Sequence, residues 1–548
     1  MKKQFRRVTA VLLAALCTVP VFWTKGMADD VGKFKSEKLN SKKFMEAYSL
    51  GTPIEQVQTN HCVTGMEDGY NMLYTTSAGT PAVFNVFNMD TKKLERTFKL
   101  TGCSSVWTHA VDQNGNVYMA SQDKAFLFRY SPETKELENL GSIMGQTACY
   151  DLNVDEKGNV YVGVFPMGTV IKYDIETKTF SAYDPPKADN KYIRSLGYYN
   201  GSLYAGTFGN GGELYRIDAK TGKSEKVEIP QREGYTTFSD LYEMTTVGKY
   251  LFIYANRVEG TDPVMLIYDC EKKQFCEDYA LKSMAYFVSP EYNGKTYFSA
   301  GGYLQEFDLE TGKLNQTDMK FNLSQRGSGW MDLKEEGYTG KTLVTITYSG
   351  VPFLFNLEAR KFRNMDEAQL SGSGVQIHNI TSNTDFNKIF MSGYVAAKGS
   401  VYDPETNALT PFALGQAENM CGNENYMYFG VYPGGHVYRM GNPKQGEVPA
   451  AEKVFTIGED QDRPYNVMTA DGKVFFGTIP NYGKLGGALT IYDEATNTKE
   501  VYRNVVKDHS IVGLAYKDGK IYGSTCITPG LGIDPVAKEA TDVYKRQA

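Results

Sequence analysis

GYYNGSLYAGTFGNGGELYRIDAKTGKSEKV, residues 197–227, reads as strand, Asn-Gly turn, strand, glycine-rich loop, strand, Thr-Gly turn, strand. Residues 202–207 and 213–218 alternate apolar with polar or small side chains, the period of a half-buried strand. Asn200-Gly201 suits a tight hairpin because both residues tolerate positive φ, and Thr221-Gly222 closes the next hairpin in a similar way. The stretch therefore predicts four antiparallel strands. A sheet of that size cannot cover two apolar faces alone and needs neighbours of its own kind.

Those neighbours are present in the chain. The position of Asp218 recurs as Asn88, Ser131, Asp174, Asp269, Asp308, Asn356, Asp403, a degenerate Gly441 and Asp493, on average about 45 residues apart. The second-strand pattern, aromatic or aliphatic followed by small residues, recurs as NVYMAS (116–121), NVYVGV (159–164), KTYFSA (295–300), YMYFGVY (426–432), KVFFGTI (473–479) and KIYGST (520–525). Four strands in a repeat of roughly 40–50 residues are the signature of β-propeller blades, about eleven of them here. The expected fold class is all-β: a seven-bladed β-propeller over residues 56–370, then a second, truncated β-propeller over 371–541, with Ser371–Gly374, SGSG, as the seam.

The start of the chain places Lys2, Lys3, Arg6 and Arg7 before the apolar run 8–23 and the small residues Gly26-Met27-Ala28. That order describes a secretory signal peptide over residues 1–28, with an uncleaved anchor, for which the run is short, as the alternative, and cleavage makes the mature chain secreted or extracellular with no membrane segment. Residues 29–55 read as a polar linker, with 50–54 able to add a closing strand to the first propeller. At the other end, 542–547 read DVYKRQ, the translation of a transposon end used in sequencing libraries, so residues 542–548 are taken as an artefact.

Loss of the leader removes five cations, Lys2, Lys3, Arg6, Arg7 and Lys25, and no anion, moving the formal charge from −6 to −11. Such a surface repels phosphate backbones, so nucleic acid is excluded as a partner. Seven cysteines remain, and only Cys270 and Cys276 flank a common hairpin, where either a disulfide or two buried thiols would fit. No Cys-x-x-Cys pair suggests zinc, and no metal or cofactor is expected.

The repeated Tyr-x-Gly strand (Tyr161-Val162-Gly163, Tyr204-Ala205-Gly206) and the Asp-x-x-Thr-Gly/Lys turn (174–178, 218–222) resemble those of secreted bacterial propellers of the YVTN, NHL and quinoprotein-like group, with streptogramin-lyase-like proteins as relatives. The resemblance covers residues 56 to about 540 and implies the fold and an association with polysaccharide-degrading modules. Quinone-dependent dehydrogenases are similar at the IDAKTGK turn but add a Trp soon after it, where this chain has Val227. The His and Glu metal site of streptogramin lyases has no residue-by-residue match here.

In a propeller, short first-to-second and third-to-fourth turns share one face, and the longer second-to-third loops, here 165–168, 208–212, 432–436, 479–487 and 525–535, share the other with the starts of the inner strands. Variable loops on a rigid scaffold usually carry function, which makes this the expected working face. The inner-strand starts supply Trp107, His109, Tyr150, Asp151, Tyr192, Arg194, Asp240, Trp330 and Asp332, then His378, Arg463 and His509. Trp107, His109, Asp151, Tyr192, Arg194, Asp240 and Trp330 are the expected ligand-binding residues, since aromatic faces beside Arg and Asp suit a sugar's C–H faces and hydroxyls. The alternative for each is blade-to-blade packing. With 39 Tyr and 29 Phe spread over all repeats, most aromatics must be core.

Catalytic motifs are absent: the five histidines are isolated, with no HExxH, GxSxG, P-loop or calcium-loop pattern. His109, Tyr192 and Arg194 are the only catalytic candidates, as an acid–base and carboxylate-neutralising set for β-elimination from a uronic acid. The expected function is a secreted module binding a polysaccharide or other cell-surface ligand, accessory to polysaccharide processing. A uronic-acid polysaccharide lyase and a protein-interaction scaffold are the alternatives.

Overall fold

The computed structural model describes residues 49–530 except 189, 209–210, 259–261, 395–397, 445–446 and 482–483. The leader, most of the linker, residues 531–535 of the last long loop and the end at 542–548 therefore lie outside the described residues. Among the described residues there is no α-helix, and no helix long and apolar enough to cross a membrane. The chain is all-β, built mostly of four-stranded antiparallel sheets, and it divides into two compact units with a boundary between Ser373 and Gly374.

The unit Val57–Ser373 contains its sheets in chain order. The innermost strands are Thr59–Glu67, Val106–Val111, Ala148–Val154, Tyr192–Tyr199, Phe238–Val247 and Ser328–Met331, each pairing with the strand that follows it. Between the last two lies a three-stranded sheet, Lys295–Ala300, Tyr303–Asp308 and Lys313–Lys320. There the inner segment is held by separate bonds, with Tyr286 and Phe287 N–H reaching Gln325 O and Ser289 N–H reaching Tyr297 O. Pro290 follows directly and cannot extend a ladder. The first and last sheets of the unit are joined, Thr59 N–H to Tyr348 O at 2.9 Å and Cys62 N–H to Arg326 O at 3.0 Å.

The sequence repeats have local causes. Asp218 Oδ1 accepts the N–H of Lys220 and Thr221 and the Thr221 hydroxyl, and Asp308 and Asp174 do the same in their own turns. The carboxylate substitutes for a backbone acceptor and fixes the turn. Lys172 and the Thr177 N–H hold the Asp174 carboxyl down at about 2. Asn200 and Gly201 adopt φ of 43° and 77°, as the Asn-Gly hairpin requires.

The glycine of each Tyr-x-Gly strand marks close approach between sheets. A Cβ at Gly163 would lie 2.8 Å from Ile193 Cγ2, and one at Gly206 would lie 2.2 Å from Ser195 Oγ and 2.8 Å from Leu241 Cβ. Around these contacts run successive apolar layers, such as Tyr161, Val170, Ile193, Leu196 and Ala205 between the third and fourth sheets.

The second unit holds four-stranded sheets over 377–413, 416–456 and 461–503, then the pair Ser510–Lys517 and Lys520–Cys526. Residues 50–54 add no strand to the first sheet of the other unit, which the sequence allowed. Ile54 is instead buried against Met391 and Tyr402, and its carbonyl accepts the Val375 N–H at 3.1 Å. An apolar side chain followed by an open acceptor finds a better burial site there than on a charged outer strand such as Lys93–Leu100, whose exposure alternates. Cys270 and Cys276 are both free thiols. They pack into different apolar clusters, Cys270 with Tyr204 and Tyr268 and Cys276 with Tyr250 and Phe307, so the hairpin turns them to opposite faces.

Gly206→Ala forces its new methyl into Leu241 and should destabilise the chain by about 1–3 kcal/mol. Urea unfolding measures it, and an unchanged midpoint would show that the sheets are not clamped at this point.

Candidate functional site

The innermost strands are not regular. Ladder pairing skips Tyr150 between Cys149 and Asp151, Arg194 between Ile193 and Ser195, and Tyr242 between Leu241 and Glu243, while Trp107 and Thr108 fall in the gap between Val106 and His109. Each is a β-bulge, in which an extra residue kinks the strand and re-aims a side chain. The re-aimed side chains meet. The Arg194 guanidinium lies 3.8 Å from the Tyr242 ring centroid and 5.0 Å from those of Trp107 and Tyr150. The rings continue outward: Tyr150 to Tyr192 at 5.7 Å, Tyr192 to Phe165 at 4.2 Å, Tyr242 to Tyr286 at 5.8 Å. Arg326 completes the arc, with its guanidinium 4.5 Å from the Tyr286 ring and 4.8 Å from that of Tyr348.

Arg194 is 3% exposed and pairs with Glu243 at 2.8 Å. This buried pair is incompletely satisfied, because Arg194 Nη1, Glu243 Oε2 and the neighbouring Trp107 Nε1 have no hydrogen-bond partner in the structure. Burial pushes the Glu243 carboxyl up from its usual 4.5 to about 7 against the pull of Arg194. Asp151 is raised by burial and by the Glu243 charge, and Asp240 by burial. Asp151 spends its oxygens on the N–H groups of Leu152 and Leu196 and so ties the third sheet to the fourth. Asp240 accepts from Ser239 and Asn256.

Of the residues expected from sequence, Trp107, Tyr192 and Arg194 enter the arc. Asp151 and Asp240 lie close enough for Arg194 to act on their acidity but turn to internal partners. His109 faces elsewhere: its Nε2 bonds Thr76 Oγ1 at 2.9 Å, and its ring stacks with those of His61 and Phe84. Burial drops it to about 3, so it is neutral at physiological pH. Tyr192, in turn, sits among Tyr150, Phe165 and Phe208. Among the described residues no hydrogen bond, ion pair or ring contact joins His109 to Tyr192 or Arg194. Trp330 stacks on Tyr292 at 4.5 Å and donates to Pro290 O, a contact of sheet on sheet. Asp332 offers its backbone carbonyl to Asn71.

Sequence reading missed Tyr242, Glu243, Tyr286, Arg326 and Tyr348. The bulge position could have found Tyr242, since Trp107, Tyr150, Arg194 and Tyr242 all lie about ten residues before the aromatic of the second strand.

The second unit repeats the device. Pairing skips His378 and Glu418, and Glu418 accepts from Arg463 Nη1 at 2.7 Å and bonds His378 Nε2 at 3.2 Å. Burial raises the Glu418 carboxyl, but the bonds to His378 and Arg463 outweigh it and hold it below its ordinary value. Arg463 also lies 3.6 Å from the Tyr432 ring centroid. His509 bonds Thr525 Oγ1. Among the described residues no group of His, Cys, Asp and Glu is placed to hold a metal ion.

Four-stranded antiparallel sheets repeated along an all-β chain are consistent with the β-propeller class. No protein-family profile matches the chain, and no curated protein matches its sequence. Solved structures are similar at low identity. The extracellular domain of BT4673 from B. thetaiotaomicron is 14% identical with a TM-score of 0.29, covering 85% of this chain and 74% of its own. PorZ, a surface component of the type-IX secretion system of Porphyromonas gingivalis, is 10% identical with a TM-score of 0.43, covering 82% and 60%. The WD40 repeats of RRP9 are 8% identical with a TM-score of 0.38, covering 55% and 88%. At TM-scores below 0.5 the assignment rests on the sheets themselves.

Arg194→Met leaves Glu243 buried without its partner and should cost about 3–5 kcal/mol in urea unfolding. A near-zero cost would mean that the pair is dispensable. The acidity of Glu243 has its own readout. A carboxyl whose folded value lies above its unfolded value lends stability below the unfolded value, and that contribution is lost as pH rises through the folded one. The melting temperature should therefore gain a downward slope between pH 4.5 and about 7 from Glu243, reinforced by Asp151 and Asp240. Glu243→Gln should flatten that slope, and an identical slope in the variant would rule Glu243 out as its source.

Proposed function

We propose that this is a secreted, ligand-binding β-propeller protein of the YVTN, NHL and quinoprotein-like kind, whose Val57–Ser373 unit binds a glycan at the arc of inner-strand residues. The unit is taken as a closed ring of seven blades and the sheets from Gly374 onward as part of a second propeller. The bonds between the sheets of Thr59–Glu67 and Ser328–Met331 support the closure. The repeated Tyr-x-Gly strand and Asp turn support the kinship.

The observation that carries the binding reading is the arc itself. Trp107, Tyr150, Tyr192, Tyr242 and Tyr286 come from successive sheets, stay only half-buried, and surround two arginines. Tyr204 and Tyr250, which pack between sheets, are by contrast covered. Half-covered aromatic faces suit the C–H faces of a sugar. His109 turns from the arc to Thr76, which supports a module accessory to polysaccharide processing over the lyase that needed it there.

The purified chain should bind oligosaccharides on a glycan array. Trp107→Ala and Tyr150→Ala should each weaken binding about tenfold or more, since a buried aromatic anchor is worth at least 1–2 kcal/mol. Their melting temperatures should fall modestly, because both rings also flank the Arg194 guanidinium, and binding is compared well below either transition. Absence of binding to any glycan would overturn the reading, as would unchanged affinity in both variants.

A further inference from the structure

We propose that Arg326 is a recognition site for an oxyanion carried on a sugar, a carboxylate or a sulfate ester, so that the arc selects acidic over neutral glycans. This rests on the glycan-binding reading above and names the class of sugar.

The argument begins with the partner each arginine has. Arg194 and Arg463 both sit against aromatic rings, and both are neutralised by a buried carboxylate, Glu243 and Glu418. Arg326 has the same aromatic setting but no carboxylate bonded to it: among the described residues it forms no ion pair, its buried Nε has no hydrogen-bond partner, and Glu243, already paired with Arg194, feels its charge only through space. Glu243 bonds Arg194, and no bond joins it to Arg326. An arginine half-withdrawn from water, with no bonded acceptor and with its nearest electrostatic partner Glu243 shared with Arg194, carries a cost that a bound anion lessens.

Its geometry is fixed in advance. The Arg326 N–H bonds Thr345 Oγ1, and its carbonyl accepts the Cys62 N–H, so the backbone is held from both adjoining sheets. The guanidinium lies near the faces of Tyr286 and Tyr348, which restrains the plane of its donor fork. The Tyr348 hydroxyl is itself held by the Gln58 amide. Tyr348 is 42% exposed, which leaves this end of the arc open to solvent. A flat fork that has already given up rotamer freedom matches a carboxylate or sulfate edge in two-point contact, while the sugar ring rests on the neighbouring tyrosines.

The test compares three oligosaccharide sets of equal length on the intact chain by titration calorimetry: galacturonic acid oligomers, sulfated galactan oligomers and neutral galactan oligomers. At least one acidic set should bind about tenfold or more tightly than the neutral one, the gain expected from a charge-assisted hydrogen-bonded contact, and added salt should shrink that margin. Which acidic set wins identifies the oxyanion. Arg326→Ala should bring acidic binding down to the neutral level, and Arg326→Lys should restore only part of the margin, because a point charge replaces the fork. Equal binding of acidic and neutral sets by the unmodified chain overturns the inference and leaves the glycan reading standing, as does a preference that survives in Arg326→Ala. Failure of all three sets to bind overturns the inference, while the glycan array decides the reading beneath it. The acidic-to-neutral ratio and its salt dependence in the unmodified chain decide the matter even if a variant does not fold.

Discussion

There is no room for a Cβ between one sheet's second strand and the next sheet's innermost strand. Gly163 meets Ile193, Gly206 meets Leu241, Gly430 meets Pro464, and Gly477 meets Ile511, each at 2.8 Å or less from where a Cβ would stand. The four side chains that close these gaps share a second property: each directly precedes a residue that the ladder skips, namely Arg194, Tyr242, Tyr465 and Val512. Tight contact and bulge are thus one device. The strand must bend to bring its apolar side chain onto the glycine of the preceding sheet, and the extra residue that allows the bend is turned away from the ladder.

What gathers in the Val57–Ser373 unit is electrostatically unusual. Arg194, Glu243, Asp151 and Asp240 are all buried, and burial raises all three carboxyls. A buried ion pair seldom repays the loss of hydration by Coulomb attraction alone, so the surroundings have to contribute. Here they do so in two ways. The faces of Tyr242, Trp107 and Tyr150 supply negative quadrupole to the guanidinium, and backbone N–H groups of Leu152 and Leu196 supply positive dipole to Asp151. The remainder stays unpaid at Arg194 Nη1, Glu243 Oε2 and Trp107 Nε1. Native proteins keep few such atoms, and when they do the site usually has work to perform.

The repeat was legible in the sequence because it depends on local chemistry. An Asp that accepts three hydrogens within its own turn, an Asn-Gly pair at positive φ and a glycine beneath a neighbouring strand each leave a mark of fixed residue type. The site was half legible. Trp107, Tyr192 and Arg194 sit at inner-strand starts, and position alone brought them forward. His109 has the same claim by position but lies past the bulge, and this change of parity turns its ring toward Thr76 and Phe84. Tyr286 and Arg326 stand where no regular strand marks the place, ahead of Pro290 and of Ser328–Met331, so no periodicity points to them. Glu243 follows its bulge by one residue, and only the coordinates join it to an arginine many residues away.

The bulge also separates two kinds of change that mutation usually confounds. Ile193, Leu241 and Cys149 are held by packing and have little freedom to vary. Arg194, Tyr242 and Tyr150, one step along the chain, form no pairs in the ladder. Exchange at a skipped position such as Tyr150 alters the arc while leaving the ladder and the glycine contacts in place, whereas Arg194 is also tied to Glu243 of the next sheet. A chain built this way can change the residues of its arc one repeat at a time while the glycine contacts that set the frame stay as they are.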